Sequence, residues 1–189
     1  MTLHPGPSSA ASGLREAQLL IAFWNFSRYT AQADRLDDVA AARVMAEFYE
    51  LVGSRVTAAG GRVVKFIGDG GLAVFPPARA EAGVLALLDL TDAADGFMAG
   101  HGWECRLTVK IHFGTVVEGE YGAGADRRYD ILGKAVNVGA RLQGSGVVLS
   151  EEAFERLGPE ARRRFKKQEL PPTYIRLTDP AQPRWAKGT

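Results

Sequence analysis

Cysteine is almost absent from the 189-residue sequence, which contains only Cys105. One cysteine cannot form an internal disulfide, so we expect a reducing, cytoplasmic location and a core thiol rather than a nucleophile. An excess of charge is also absent, because 23 Lys and Arg residues against 22 Asp and Glu residues leave a net charge of +1. This balance produces no overall field that would attract nucleic acid or a membrane surface, and we expect neither as a partner.

Residues 1–13, MTLHPGPSSAASG, contain no basic cluster and no long apolar stretch. We therefore expect neither a signal peptide nor a membrane anchor here. With 46% hydrophobic and 24% charged residues, the composition is typical of a globular protein. The length favours a single domain over 16–178, flanked by a flexible N-terminal tail, 1–15, and a C-terminal tail, 179–189.

Hydrophobic periodicity predicts strands that alternate with helices. The nearly continuous apolar run at 17–26 is typical of a central strand that is covered on both faces. Apolar residues at helical spacing predict a helix over 37–58, capped by Asp37 or Asp38. Further along, we predict strands around a GDGG turn at 62–75, a helix after Pro77, strands at 104–113 and 115–121 around Gly114, a helix at 133–143, a strand at 146–150, a helix at 151–158 closed by Gly158, and a strand at 173–177. This order predicts an α+β fold with a ferredoxin-like βαββαβ core and extra strands and helices.

Three segments carry a more specific pattern: KFIGDGGLAVF (65–75), KIHFGTVVEGEYG (110–122) and RYDILGKAVNVGARLQ (128–143). In this order they resemble the catalytic domain of class III nucleotidyl cyclases, the adenylate and guanylate cyclase family, over residues 17–177. The segment IAFWNFSRYT (21–30) then falls on the first-metal motif of the family. The resemblance implies a lyase that converts a nucleoside triphosphate to its 3′,5′-cyclic monophosphate and pyrophosphate.

The resemblance implies a site for Mg²⁺ or Mn²⁺ near the GDGG turn. Asp69 is the best ligand candidate, because a carboxylate in a glycine turn can reach a hard cation, although such an Asp by itself is more often a turn former. Asn25 stands where the family has its first metal-binding aspartate, and the Phe26 main-chain carbonyl is a further ligand. Because Asn25 is neutral, we expect weak metal binding and slow or absent turnover.

Asn137 and Arg141 are four residues apart on a predicted helix and therefore share one face. The resemblance implies that they contact the ribose and the α-phosphate in the transition state, whereas by themselves they would be a solvated polar face. Lys65 and Asp130 match the pair that contacts the base in the family. A donor to N1 and an acceptor for the 6-amino group suit adenine, which implies ATP as the substrate.

The triphosphate tail would be bound by main-chain amides of the 25–30 turn and by a basic residue near the C-terminus. The turn residues are Phe26, Ser27, Arg28, Tyr29 and Thr30, and the basic candidates are Lys166 and Lys167 in RRRFKK (162–167). The guanidinium of Arg28 either neutralises phosphate charge or points to solvent, and RRRFKK is more often a solvated charged face than a phosphate site.

In the family, each active site lies between two subunits, with the metal ligands from one and the base and ribose contacts from the other. The resemblance therefore implies a head-to-tail homodimer in which Lys65 and Asp69 of one chain serve different sites. Two interpretations remain open: an adenylate cyclase that is active alone, and a pseudo-cyclase that binds nucleotide or serves a heterodimer. In the second, this chain donates Lys65, Asp130, Asn137 and Arg141 to a partner that holds the metal.

Overall fold

The computed structural model describes residues 13–169 and 172–177. The strands in this part are β1 (Arg15–Ser27), β2 (Arg62–Ile67), β3 (Gly70–Phe75), β4 (Arg106–Tyr121), β5 (Arg128–Leu132), β6 (Val147–Leu149), β7 (Phe165–Glu169) and β8 (Pro172–Arg176). The helices are α1 (Tyr29–Ala33), α2 (Asp38–Ala58), α3 (Ala80–Gly100), α4 (Lys134–Arg141), α5 (Glu151–Phe154) and α6 (Pro159–Arg162). The predicted tails fall almost entirely outside the described residues.

The strands of the described part form one sheet in the order β2-β3-β1-β4-β6-β8-β7, and β5 pairs with β4 off this path. Strand β1 runs antiparallel to both of its neighbours, β3 and β4. The β4–β6 pair is parallel. A mixed sheet with helices between its strands confirms the predicted α+β fold.

Strand β1 has buried side chains on both faces. Its even-numbered residues from Leu20 to Phe26 pack in the larger apolar cluster with α2 and α3. Leu19 and Ile21 pack on the other face, in a smaller cluster with Ala135 of α4. Because successive side chains point to opposite faces, burial on both sides requires the continuous apolar run seen in the sequence.

Helix α2 begins where the sequence predicts, with Asp37 as its N-cap. The Asp37 carboxylate accepts a hydrogen bond of 3.0 Å from the Ala40 amide. We expect Asp37→Ala to lower the free energy of unfolding by about 1 kcal/mol, because the amide loses this partner. Urea denaturation measures the change. Asp38→Ala removes a carboxylate that makes no cap hydrogen bond, so equal losses in both variants would contradict the capping role.

Two predicted breaks at glycine are wrong. Gly114 does not end a strand: it pairs with Leu19 inside the continuous β4. A Cβ there would lie 2.7 Å from the Ala135 Cβ, so the glycine is needed for the approach of α4. Gly158 does not close the predicted helix 151–158, because α5 ends at Phe154 and Gly158 is the N-cap of α6.

The Cys105 thiol belongs to the core, as predicted, and is 3% exposed. Burial is the main cause that raises its pKa to about 11. A thiol with so high a pKa carries almost no thiolate near neutral pH, as expected for a core residue rather than a nucleophile. Among the described helices, none is both long and apolar enough to cross a lipid bilayer.

Candidate active site

Two distant segments meet at the C-terminal end of β1. The Phe26 amide donates a hydrogen bond of 3.1 Å to the Asp69 carboxylate, across 43 positions of sequence. Strand β3 runs beside β1, and a Cβ at Gly70 would lie 2.6 Å from the Trp24 carbonyl oxygen and 3.5 Å from the Asn25 Cβ. Only a glycine allows this approach, so the GDGG turn brings Asp69 next to Asn25.

The atoms available to a metal here are oxygens of three kinds. Asp69 is half-buried and offers a carboxylate, the exposed Asn25 offers an amide oxygen, and Phe26 offers its main-chain carbonyl. Mg²⁺ and Mn²⁺ prefer oxygen ligands and commonly use one or two carboxylates together with substrate phosphates, so this donor set fits them in kind. Within the described ranges, no three His, Cys, Asp or Glu side chains form a cluster that could hold a metal ion.

Tyr49 of α2 fixes the GDGG turn from the other side. Its hydroxyl donates a hydrogen bond of 2.6 Å to the Gly68 carbonyl, and its ring stacks on Phe66 with 4.0 Å between centroids. Burial and then the Asp69 carboxylate raise the pKa of both Tyr49 and Tyr29. Both phenols therefore stay neutral near neutral pH.

The predicted 25–30 turn is confined to Arg28, because β1 continues through Ser27 and α1, a helix that the sequence did not predict, begins at Tyr29. Arg28 has a φ of 60°, the only positive φ at a described residue other than glycine. This conformation costs a side-chain-bearing residue about 1–2 kcal/mol, so surrounding contacts must hold it. The Arg28 guanidinium donates to the Glu104 carboxylate at 3.3 Å, and the Ser27 hydroxyl accepts from the Arg106 amide at 3.2 Å.

Two alternatives were expected for the Arg28 side chain: neutralising phosphate charge or pointing to solvent. Its side chain does not simply extend into solvent, because it forms an ion pair with Glu104. Tyr29 packs its ring against Trp103, with centroids 5.7 Å apart, while Thr30 is exposed. The turn is therefore attached to the segment that leads into β4. The periodicity gave no signal for Glu104 as the partner of Arg28.

A cleft of about 710 Å³ opens beside this turn, between α1, α2 and Gly68. Its lining includes the carboxylates of Asp34 and Asp38 and no lysine or arginine. A triphosphate needs cations or amide donors, so this cleft does not suit one. Its position beside the GDGG turn is not sufficient to make it the substrate pocket.

Lys65 and Asp130 form an ion pair, with 2.5 Å between the Lys65 Nζ and the Asp130 Oδ2. The second Asp130 oxygen accepts a hydrogen bond of 2.8 Å from the Ile131 amide. Both side chains are partly exposed, 41% for Lys65 and 24% for Asp130. The chain thus presents one donor and one acceptor side by side at an accessible position.

Asn137 and Arg141 are exposed on α4. The opposite face of this helix packs on the sheet through Ala135 and Gly139. A Cβ added at Gly139 would lie 3.4 Å from the Phe23 ring. Within residues 13–169 and 172–177, no hydrogen bond or ion pair joins Asn137 or Arg141 to Asn25 or Asp69.

Lys166 and Lys167 lie on β7, which is at the opposite edge of the sheet from β2. Both are exposed. The Lys167 Nζ is 3.8 Å from a Glu151 carboxylate oxygen and 5.8 Å from the centre of the Tyr174 ring. The chain therefore brings together Asn25, Phe26 and Asp69, and separately Lys65 and Asp130, but not the two lysines with either group.

Comparison with known proteins identifies the family. The model of the adenylate and guanylate cyclase catalytic domain matches residues 15–177. The chain is 26% identical over 135 residues to an adenylate cyclase of Anabaena cylindrica, which is 67% of this chain and 27% of that protein. It is 24% identical over 164 residues to adenylate cyclase 2 of Rhizobium meliloti (strain 1021), 83% of this chain and 43% of that protein. The chain thus spans less than half the length of these curated relatives.

Among solved structures, the fold is similar to that of the adenylyl cyclase CyaB from P. aeruginosa, with a TM-score of 0.75 at 16% identity. That similarity covers 89% of this chain and 97% of the other. At such low identity it concerns the fold, whereas the family match covers nearly all of the described residues. Residues 15–177 of this chain therefore belong to the adenylate and guanylate cyclase catalytic domain family, as the three sequence motifs predicted.

Proposed function

We propose that the domain converts ATP to 3′,5′-cyclic AMP and pyrophosphate at a site shared by two chains. The observation that carries this proposal is that one chain presents two separate polar groups. Asp69 lies with Asn25 and the Phe26 amide, whereas Lys65 lies with Asp130. Neither group alone provides contacts for both the phosphates and the base. The arrangement implied by the family resemblance would join the Asp69 group of one chain to the Lys65 group of a second.

Cyclisation needs the ribose 3′-hydroxyl to attack the α-phosphorus while pyrophosphate leaves, so catalysis consists mainly of positioning and charge neutralisation. Asp69, with oxygens of Asn25 and Phe26, would hold Mg²⁺ or Mn²⁺, which would polarise the phosphate oxygens. Amides of residues 27–30 would bind the triphosphate, because the Phe26 amide already donates to Asp69, and Lys166 or Lys167 of the second chain would lie at its end. From that chain, Asn137 would orient the ribose and Arg141 would stabilise charge at the α-phosphate.

The base would be read by Lys65 and Asp130. In the free chain these groups satisfy each other across 2.5 Å, and adenine can replace this contact on both sides. Its N1 accepts from the lysine and its 6-amino group donates to the carboxylate, whereas guanine offers an oxygen where the carboxylate needs a donor. The adenylate cyclase names of the two sequence relatives support the same base.

A second candidate function is a catalytically impaired subunit that binds nucleotide or completes the site of a partner cyclase domain. The neutral amide of Asn25 favours it, because a metal beside Asp69 would have one anionic protein ligand. The exposed Asn137 and Arg141 argue against a chain that only binds nucleotide, whereas a subunit that completes a partner's site would still need both residues.

The test incubates the purified chain with ATP, GTP, CTP or UTP and with Mg²⁺ or Mn²⁺, and separates cyclic products by chromatography. We expect cyclic AMP as the main product. Lys65→Glu should lower kcat/KM for ATP at least about tenfold, because it replaces a charged donor with a repulsive acceptor. Lys134→Glu makes the same charge change at an exposed lysine outside the pair and should have little effect. A chain that forms no cyclic product with any of the four nucleotides would favour the impaired subunit.

A further inference from the structure

Beside the Lys65–Asp130 pair, four polar side chains from four strands contact one another in series. The guanidinium of Arg15 on β1 lies 2.7 Å from the Glu118 carboxylate on β4. Glu118 accepts a hydrogen bond of 2.5 Å from the Tyr129 hydroxyl on β5, and the Arg62 guanidinium of β2 lies 3.7 Å over the Tyr129 ring. The series lies beside the Lys65–Asp130 pair, because its last two members, Tyr129 on β5 and Arg62 on β2, are on the same two strands as Asp130 and Lys65.

Strands β2 and β5 touch without pairing. In the described part of the chain, β2 is hydrogen-bonded to β3 and β5 to β4, and no ladder joins β2 to β5. Side chains make the direct contacts between these two strands, and two of these contacts lie at the Lys65–Asp130 pair. The ion pair itself must open when a base enters. The contact of Arg62 with the Tyr129 ring can persist while the base is bound.

An irregularity in β2 brings Arg62 and Lys65 to the same neighbour. Residues three positions apart on a regular strand point to opposite faces. The β2–β3 register, however, shifts between Val63, which pairs with Ala73, and Lys65, which pairs with Leu72. One extra residue in β2 breaks the alternation, so that both basic side chains reach β5.

Glu118 is the buried member of the series. The residue is 7% exposed, and a buried carboxylate is tolerated only when it is hydrogen-bonded or paired. The side chain of Arg15 is 78% exposed, so the Tyr129 hydroxyl is the better-shielded partner. Burial, followed by the Glu118 carboxylate, raises the pKa of Tyr129 above its ordinary value. The phenol therefore remains a donor to Glu118 throughout the physiological range.

We propose that Arg62, Tyr129 and Glu118 are positioning residues that hold β2 and β5 at the separation at which Lys65 and Asp130 accept adenine, and that they thereby set the preference for ATP over GTP. The inference rests on the proposed role of Lys65 and Asp130. Among the described residues, no hydrogen bond, ion pair or ring contact joins Arg62, Tyr129 or Glu118 to Asn137, Arg141 or the Asp69 group, so their loss should change nucleotide affinity and selectivity and leave kcat for bound ATP nearly unchanged.

The test measures binding of α,β-methylene ATP and α,β-methylene GTP by calorimetry with Mn²⁺ present, and kcat and KM for ATP separately. Arg62→Gln removes the cation over the ring, and Tyr129→Phe keeps the ring but removes the hydroxyl. We expect the ratio of the two dissociation constants to decrease about two- to fivefold in Arg62→Gln, because Arg62 is exposed and a cation–π contact at an exposed site has that range. Arg62→Lys, which keeps a cation, should recover part of the ratio.

Matched controls exist for both changes. Tyr121→Phe removes a hydroxyl that donates to the Val117 carbonyl at 3.0 Å on β4, outside the series. Arg156→Gln removes a guanidinium that lies 4.0 Å over the Phe113 ring. Both controls should keep the wild-type ratio, and thermal melting compares the stability of all variants.

The outcomes separate the inference from the function on which it rests. If the wild-type chain prefers the ATP analogue and Arg62→Gln and Tyr129→Phe keep that preference while folded, the positioning role is overturned and the proposed function stands. If a reduced ratio also appears in Tyr121→Phe or Arg156→Gln, the effect is structural and the inference fails. If the wild-type chain binds neither analogue, the proposed function fails and the inference with it.

Discussion

Asn25→Asp is expected to raise the rate of cyclic AMP formation by the purified chain on the order of 100-fold at saturating ATP. The new carboxylate would lie beside the GDGG turn, because the Asn25 Cβ is within 3.5 Å of the Cβ position of Gly70. Two unit charges about 4 Å apart interact by about 4 kcal/mol at an effective dielectric constant of 20, and a divalent ion doubles this before desolvation is subtracted. A net gain of about 3 kcal/mol in the transition state corresponds to the expected factor.

Arg28 is poorly suited to replace the missing charge, because its guanidinium already pairs with Glu104 at 3.3 Å. The gain should therefore depend on the metal, and the Mg²⁺ concentration for half-maximal rate should fall together with the rise in kcat. A rate in Asn25→Asp equal to that of the wild-type chain across the metal titration would show that the amide is not what limits turnover.

A matched control separates the number of carboxylates from their position. The double variant Asn25→Asp/Asp69→Asn keeps one carboxylate but moves it to β1. The amide oxygen of the new side chain at position 69 can still accept from the Phe26 amide, so the contact seen at 3.1 Å is preserved. We expect this variant to stay near the wild-type rate or below it. A 100-fold gain in the double variant would show that the effect comes from placing a carboxylate at position 25 and not from having two carboxylates.

The parts of the fold that the sequence predicted correctly are those set by local pattern. The two-sided burial of β1 follows from its continuous apolar run, and the start of α2 follows from a capping aspartate. The wrong predictions concern two glycines that are placed by contacts with residues distant in sequence, not by a local chain break. Gly114 makes room for Ala135, and Gly158 donates its amide to a Glu81 carboxylate oxygen at 2.8 Å, neither of which a local window contains.

The same distinction applies to the candidate site. The motifs single out Asp69, Asn25, Lys65 and Asp130 one by one, but their grouping depends on β1 pairing with β3 and on β5 reaching β2. The sequence contains one indication that Glu118 is special, because it is a charged residue at an inward position of the alternating strand β4. Its partners Tyr129 and Arg15 could not be predicted, because they lie on strands whose register is fixed by the fold.

The proposed division of the site between two chains predicts complementation of inactive variants. Asp69→Ala and Arg141→Ala should each lower the rate of cyclic AMP formation about 100- to 1,000-fold, because each removes charge stabilisation of the transition state. In a heterodimer of these two variants, one site would lack both residues and the other would be intact. Co-expression with two different tags and sequential purification isolates this heterodimer, which should have about half of the wild-type rate.

The sharpest control for complementation pairs two variants of the same half-site. Asn137 and Arg141 lie on the exposed face of one helix, so a heterodimer of Asn137→Ala and Arg141→Ala has one defect in each site. It should remain inactive, although its subunits, tags and purification match those of the first pair. Recovery in both heterodimers would point to an effect of assembly rather than of shared sites. An inactive Asp69→Ala/Arg141→Ala heterodimer that is fully dimeric would place Asp69 and Arg141 in the same site and overturn the two-chain arrangement.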